Sequence, residues 1–230
     1  MIRRRLSDER GFSLIELLMA MVIGMLVLMA AFMLFDRTIT ASGQIADRSE
    51  ALQRGRLAMD LITRQLRSQV CLGDTAPIVS GSSSSITFYA DFSDGTAPLR
   101  KRTLTYDATT NTITESVVAG TGTYPALAFT GAATSVPLLT KVAEILDTPT
   151  TLRPMFRYYG YQTGTTNGTL VELTSPLSSS DLSRVAVIKV GFRSFAVRPV
   201  SNDNNSAVLE DDVYVRVASP GDPTGGPECL

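Results

Sequence analysis

Histidine and tryptophan are absent from this chain of 230 residues, and only two cysteines occur, Cys71 and Cys229. Because histidine is the side chain that most often acts as a general base or binds zinc, its absence excludes Ser-His-Asp and Cys-His catalytic arrangements. Two cysteines cannot form a four-ligand zinc site on their own. No paired-carboxylate or cofactor motif takes their place, so the sequence predicts a protein that is not an enzyme and holds no cofactor or metal.

An excess of positive charge is also lacking, since 21 Lys and Arg residues face 22 Asp and Glu residues. The chain therefore has no bulk attraction to nucleic acid. The charges are unevenly distributed, because Glu16 is the only charged residue in the range 12–35 and the 19 residues of 17–35 are uncharged. As a helix this run would be about 28 Å long, close to the hydrocarbon thickness of a bilayer. The sequence thus predicts a membrane-spanning helix at 12–35.

The first ten residues are basic, with arginine at positions 3, 4, 5 and 10. Basic flanks tend to stay in the cytoplasm, so the remainder of the chain would be exported. An ordinary secretory signal peptide is the alternative, but its apolar core is shorter, contains no acid and ends in a small-residue cleavage site. Here the run is long, Glu16 lies at its start, and Ala30-Ala31 is a poor cleavage site.

Residues 10–18, with the sequence RGFSLIELL, resemble the processing motif of type IV prepilins and type II secretion pseudopilins. The resemblance rests on four features: a short charged leader, a glycine before a phenylalanine, a glutamate five positions after the glycine, and then an apolar helix. It implies that a membrane prepilin peptidase removes leader 1–11 by cutting after Gly11 and methylates the new amino terminus at Phe12.

Glu16 is an ionisable residue inside a segment predicted to lie in the membrane, where such residues are costly and usually functional. Its natural partner is the amino terminus of Phe12, about one helical turn away, or the same group of a neighbouring subunit. The resemblance implies that this pairing helps to set the register of subunits in a filament. The alternative is an acid that reaches back to the membrane interface.

A polar helix continues the apolar run, with Ile45, Leu52, Met59 and Leu66 at intervals of seven and Ile62 between them. This single apolar stripe predicts an amphipathic half, 36–71, that covers a sheet on one side. An unbroken helix over 12–70 would be about 88 Å long.

Three glycines, Gly24, Gly43 and Gly55, mark either hinges in this helix or sites of close packing. The segment 56–71, which ends at Cys71, resembles the end of the long helix in PilW-type minor pilins and J-type pseudopilins of type II secretion.

Period-two alternation after residue 86 predicts strands with one buried face. Ile86, Phe88, Ala90 and Phe92 share one face, while Thr87, Tyr89 and Asp91 share the other. The strands at 99–106 and 112–118 form a predicted hairpin, and alternation returns at 186–193 and 213–217. Ser/Thr/Gly-rich links are expected at 80–85, 120–124 and 160–168. The predicted fold class is α+β, with the long N-terminal helix packed on an antiparallel β-sheet head at 72–219 and followed by a tail at 220–230.

Arg100, Lys101 and Arg102 form a small basic cluster on one predicted strand that would bind anions or nucleic acid weakly. The alternative is a charged edge that discourages pairing with other strands. Four acids near the end of the chain would suit calcium or, alternatively, a hydrated turn: Asp203, Glu210, Asp211 and Asp212.

Cys71 and Cys229 are an even pair of cysteines in a predicted exported domain, which favours a disulfide that holds the tail. Free thiols or a bridge to another subunit are the alternatives.

The resemblance implies a structural minor subunit of a type IV pilus or type II secretion-like filament. Its partners would be the prepilin peptidase and methyltransferase, other pilin subunits, an inner-membrane assembly platform and membrane lipid. It would lie in the cytoplasmic membrane with the amino terminus inside, and then in an extracytoplasmic filament. The alternative function is a tip adhesin or a DNA-capturing component of a competence pilus.

Overall fold

The computed structural model describes residues 12–91, 99–148, 150–164, 168–198, 205–216, 218 and 229. Its first element is helix α1, Leu14–Arg67, whose 54 residues are about 81 Å long. Ser13 caps the start of the helix, and at its end the N–H of Ser68 donates to the carbonyl oxygens of Arg64 and Gln65. The predicted continuation to residue 70 is therefore wrong, and Cys71 lies four residues beyond the helix end.

Among the described residues, the head is contacted by the second half of α1 alone. The buried residues begin at Asp47, so the helix between 14 and 46, about 50 Å long, projects from the head. The buried face repeats at intervals of three and four, as an α-helix requires. Its residues are Asp47, Ala51, Gly55, Ala58, Met59, Ile62, Thr63, Gln65 and Leu66.

The predicted heptad stripe is only partly buried. Met59 and Leu66 face the core, Leu52 is half-buried, and Ile45 is 72% exposed. A strict seven-residue repeat drifts by about 20° per heptad around a straight helix. The drift carries Ile45 away from the core-facing side, and the residue also lies before the first buried position of α1.

Fourteen strands and one short helix follow α1 in the described residues. The first seven strands are β1 (Ile78–Gly81), β2 (Ser85–Ala90), β3 (Arg100–Asp107), β4 (Thr112–Ala119), β5 (Thr121–Thr123), β6 (Ala126–Ala128) and β7 (Thr134–Thr140). The remaining elements are β8 (Val142–Ala143), β9 (Ile145–Thr148), β10 (Thr151–Arg153), β11 (Phe156–Tyr161), β12 (Leu170–Leu173), α2 (Ser179–Leu182), β13 (Val185–Ser194) and β14 (Ala207–Tyr214).

The strands form two main antiparallel sheets. The first sheet has the order β1-β2-β3-β4-β7, and the second has the order β12-β11-β13-β14 with β8 also paired to β13. The pairs β5–β6 and β9–β10 form two small additional sheets. The predicted α+β fold is confirmed, and β3 and β4 form the predicted hairpin, in which Asp107 lies opposite Thr112.

One hydrophobic core joins the second half of α1 to both main sheets. Ile62 and Leu66 of the helix are fully buried in the same cluster as Phe88 and Leu104 of the first sheet. The second sheet contributes its inner face to this cluster, including Phe156, Tyr158, Ile188 and Phe192. Because both sheets pack on the same helix, its C-terminal half is an integral part of the head.

The simple alternation expected at 186–193 is wrong for part of β13. Val187 is only 1% exposed although it lies on the face predicted to be polar, and Gly191 is also buried. A methyl group placed on Gly191 would lie 3.0 Å from Cδ1 of Ile145, so β9 lies close to this face. Of the other residues predicted to alternate, Phe92 and Val217 lie outside the described residues.

The three predicted links are only partly irregular. Residues 80–81 complete β1 and residue 85 begins β2, so 80–85 is a short turn between two strands. Residues 121–123 form β5, and residues 160–161 belong to β11. Serine and threonine are compatible with strands, and pairing with neighbouring strands decides the structure of these segments.

Candidate functional site

The candidate site begins at the amino-terminal end of α1. The side chain of Ser13 accepts a hydrogen bond from the backbone N–H of Glu16 at 3.3 Å, as an N-cap does. Glu16 lies in the first turn, where the positive end of the helix dipole favours an acid. Phe12 precedes the cap and lies outside the helix, and the pairing of its amino group with Glu16 stays a prediction. Gly11 lies outside the described residues.

No other described part of the chain covers the apolar segment behind this turn. Every large apolar side chain in the range 17–35 is at least 49% exposed, the least exposed being Leu18. Within the described part of the chain, α1 is the one helix long and apolar enough to cross a membrane. Its apolar segment lies near the amino terminus, where the sequence predicts a membrane anchor.

A polar stretch of helix separates the apolar segment from the head. It runs from 36 to 46, about 16 Å along the axis, and contains no buried residue. The hydroxyls of Thr38 and Thr40 donate to the carbonyl oxygens of Leu34 and Asp36. These bonds satisfy polar side chains within the helix itself. The apolar segment and the head are therefore separated by about three turns of solvated helix.

Cys71 and Cys229 form a disulfide in the structure, with their Cα atoms 5.7 Å apart. Cys71 follows the end of α1, and the next residues make a tight turn in which Leu72 and Thr75 exchange backbone hydrogen bonds. The bridge therefore ties the end of the chain to the segment directly after α1, at the end of the helix remote from the apolar segment.

Arg100, Lys101 and Arg102 do not form the predicted basic cluster. Side chains alternate along β3, so Arg102 lies on the core side with Leu104, whereas Lys101 faces the other side. Arg102 is buried in an ion pair with Glu115 of β4. Lys101 lies 5.8 Å from the ring centre of Phe129. The weak anion-binding site is wrong in this form, because its third cation is neutralised and points into the core.

The acids of β14 pair with cations instead of forming a calcium site. Glu210 contacts Arg153 at 2.8 Å and Arg157 at 3.2 Å. Asp212 lies 3.0 Å from Lys189, directly across the strand pair. Among the described residues no group of acids is arranged to hold a metal ion. Asp203, the fourth predicted acid, lies outside the described residues.

Arg54 makes structural contacts that the sequence analysis did not predict. Its guanidinium donates to the carbonyl oxygen of Phe195 at 2.6 Å and to that of Thr140 at 2.9 Å. Phe195 directly follows β13 of the second sheet, and Thr140 is the last residue of β7 in the first sheet. One side chain therefore connects α1 to both sheets. In the sequence, the only indication of this role is that Arg54 lies between Ala51 and Gly55, which are on the buried face of the helix.

Glu144 is a second missed residue, located between β8 and β9. Burial raises the pKa of its carboxyl group, although a hydrogen bond from the N–H of Met155 acts in the opposite direction. Burial also raises the pKa of the neighbouring Tyr106, and the charge of Glu144 adds to that effect. Glu144 could not be predicted from the sequence, because it lies in a short connection between strands, where neither strand nor helix periodicity indicates burial.

Residues 6–32 match the family model described as the prokaryotic N-terminal methylation motif. No curated protein matches the chain. The matched motif, the exposed apolar helix and the antiparallel sheets together support a type IV pilin-like subunit. Such motif-bearing proteins form a structural class rather than a catalytic one, are processed by a prepilin peptidase and assemble with other pilin subunits.

Proposed function

We propose that this chain is a structural minor subunit, a minor pilin or pseudopilin, of a type IV pilus or type II secretion-like filament. The exposed apolar half of α1 carries the proposal. Leaving a side chain such as leucine or phenylalanine in water costs ~1.5–3 kcal/mol. A run of 19 uncharged residues therefore requires either lipid or neighbouring subunits around it. The bilayer covers it before assembly, and the helices of neighbouring subunits cover it in the filament.

The proposed processing divides the chain at Gly11. The peptidase removes leader 1–11 and methylates the amino group of Phe12. Segment 12–35 then spans the membrane and later forms the filament core, and 36–71 connects it to the head at 72–219, which is followed by the tail 220–230. The matched motif at residues 6–32 includes Gly11 and Phe12 and supports the proposed cut between them.

The proposed role of Glu16 is to align subunits. Phe12 lies outside α1 and is 83% exposed. Cleavage after Gly11 would free its amino group, which could then pair with the Glu16 carboxylate of a neighbouring subunit. In an apolar filament core an unpaired carboxylate is costly, and pairing relieves that cost only at one axial offset. This offset would fix the subunit register.

The proposed orientation has the amino terminus in the cytoplasm and the head outside the cytoplasmic membrane. The four arginines of the leader support it through the positive-inside tendency. The polar stretch 36–46 would hold the head about 16 Å from the membrane surface, within reach of an inner-membrane assembly platform.

Intact-mass analysis of filament-incorporated protein tests the processing. The expected species begins at Phe12 and carries one additional methyl group on its amino terminus. Assembled protein that retains residues 1–11 contradicts the proposal.

The substitution Glu16→Leu tests the alignment. We expect processed protein to accumulate in the membrane and its incorporation into filaments to fall by more than about tenfold, because the subunit loses a buried ion pair. Asp36→Leu, which removes the acid at the opposite end of the apolar segment, is the matched control and should assemble normally. Equal incorporation of both variants would show that Glu16 does not set the register.

A further inference from the structure

The solvent side of the first sheet carries an ordered array of hydroxyl groups. Side chains of β2, β3 and β4 alternate between core and solvent, and the strand register places the solvent-side residues next to one another. One row across the sheet is Ser85, Thr105 and Thr114; the next row is Thr87, Thr103 and Ser116. All six are half-buried.

The geometry of a sheet sets the spacing of this hydroxyl array. Neighbouring strands are roughly 4.8 Å apart, and alternate residues along one strand are roughly 7 Å apart. Four of the six side chains are threonines, whose branched Cβ restricts rotation about χ1. The positions of their hydroxyls are therefore largely fixed before any ligand binds, which reduces the entropy lost on binding.

The hydroxyl array keeps unused hydrogen-bonding capacity. Thr87 and Thr103 are bonded to each other at 3.0 Å, and Ser85 and Thr105 at 3.3 Å. A hydroxyl has one donor and two acceptor positions, so a bonded pair still offers one donor and three acceptors. These cross-strand bonds stabilise the sheet and leave the pair able to bind a polar ligand.

The charge and aromatic content of the same face restrict the ligand. Neither row contains an ionisable residue; Lys101 lies beyond one end of the array and Asp107 beyond the other. Tyr89 lies opposite Lys101, next to the second row. The centre of its ring is 5.1 Å from the centre of the Phe129 ring. The face therefore offers hydroxyls and one aromatic ring to an uncharged partner.

We propose that this hydroxyl array binds a neutral polysaccharide. Sugar hydroxyls exchange hydrogen bonds with the two rows, and the apolar face of one sugar ring packs on Tyr89. An uncharged polyhydroxylated chain matches the two rows, which contain no ionisable residue. For an acidic polymer, Lys101 is the cation in the neighbouring row of the described strands. This activity belongs to the head and does not depend on the proposed filament.

Binding of the full-length chain to three insoluble neutral polysaccharides, cellulose, chitin and starch, tests the proposal. The protein is kept in a detergent without a sugar headgroup, because alkyl glycosides would compete for the same surface. We expect at least one polysaccharide to retain the protein. Retention by none of the three overturns the proposal.

The paired substitution Thr87→Val and Thr103→Val removes one bonded pair of hydroxyls while keeping branched side chains. We expect the affinity for the retained polysaccharide to fall roughly tenfold, the loss expected for two hydrogen bonds. The matched control is Thr148→Val with Thr151→Val, a bonded pair on the β9–β10 hairpin. The same retention for both paired variants overturns the proposal, provided that circular dichroism shows both to be folded.

The aromatic contact has its own test. Tyr89→Leu should weaken retention, whereas Tyr214→Leu, at an exposed tyrosine on the outer face of the second sheet, should leave it unchanged. If the Tyr89→Leu variant binds as the wild type does, the proposed contact between a sugar ring and Tyr89 is wrong.

Discussion

At the scale of single residues, the near-neutral chain contains a buried ion pair between Arg102 and Glu115. Arg102 and Glu115 lie on the core side of the first sheet, where Phe88 is directly opposite Arg102 and Leu104 directly opposite Glu115. Removing two charges from water is expensive, and their mutual attraction repays that cost only when both partners are present. The pair therefore makes each of its members indispensable without making the fold exceptionally stable.

We expect Arg102→Ala to lower the free energy of unfolding by about 3–5 kcal/mol, because it leaves Glu115 buried without its partner. The double variant Arg102→Met with Glu115→Leu should recover most of this loss. Urea unfolding of the full chain in detergent, followed by the β-sheet circular dichroism signal, measures both. A double variant as unstable as the single one would show that the ion pair stabilises the head beyond its packing.

Glu144 makes the stability of the head depend on pH. Burial raises its pKa in the folded state, so the charged form is disfavoured there relative to the unfolded chain. The resulting penalty is present when the pH exceeds the folded-state pKa, and it disappears as the pH falls below the unfolded-state value.

We expect Glu144→Gln to raise Tm at pH 7, because glutamine still accepts the hydrogen bond from Met155 and carries no charge. The difference from wild type should vanish as the pH falls below the normal range of a glutamate pKa. Thermal unfolding at several pH values checks the sign. A Tm difference that does not change with pH would exclude ionisation of Glu144 as the cause.

The element that organises the molecule is α1, which lies close to the second sheet at Gly55. A methyl group on Gly55 would lie 2.5 Å from Cδ1 of Leu209 and 3.0 Å from Cβ of Ser194. The leucine can rotate away, but the β-carbon of Ser194 is fixed to a central strand. Close packing is therefore the role of Gly55. A methyl group on Gly24 would contact nothing within 4 Å in the isolated chain.

We expect Gly55→Val to destabilise the head by roughly 1–3 kcal/mol through overpacking between α1 and the second sheet. Gly24→Val makes the same change within the same helix and is the matched control, so the effect of valine on helix propensity is shared. Urea unfolding in detergent compares the two. Equal effects on the head would mean that the sheet accommodates the larger side chain.

At the scale of the whole molecule, a single covalent link joins the two ends of the head. The disulfide between Cys71 and Cys229 closes a loop with a sequence separation of 158 residues. Closing a long loop restricts the unfolded chain far more than the folded one. The apolar anchor lies outside this loop, so the bridge acts on the head and its tail.

We expect Cys71→Ala with Cys229→Ala to lower the free energy of unfolding by about 2–4 kcal/mol. Limited proteolysis should then release the C-terminal tail faster than in the wild type, because Cys229 is no longer tied to Cys71. Non-reducing peptide mapping of the exported protein provides the direct check. Free thiols at both positions in that protein would exclude the bridge.

The parts of the fold that could be predicted depend on local patterns. The long uncharged run identified the apolar half of α1, and period-two alternation identified the strands that contain Ile86 and Ile113. In each of these elements the same side chains face the same surroundings along the whole length, so the pattern is visible in the sequence. The strands β8, β9, β10 and β12 were missed, since each has only two to four residues and acquires order from pairing with another strand. The strand β11 was also missed, although its six residues alternate as those of β2 do. Arg54 was missed because its partners, Thr140 and Phe195, are distant in sequence.

The sequence by itself determined the membrane-like segment, the processing motif and the neutral character of the chain, because these depend on composition and on residues adjacent along the chain. Tertiary structure alone decided which side of each strand meets the core. That choice buried Arg102 against Glu115 and broke up the basic triplet. It also brought threonines from three separate strands into two adjacent rows without charged residues, because strand register, and not sequence proximity, determines which side chains become neighbours.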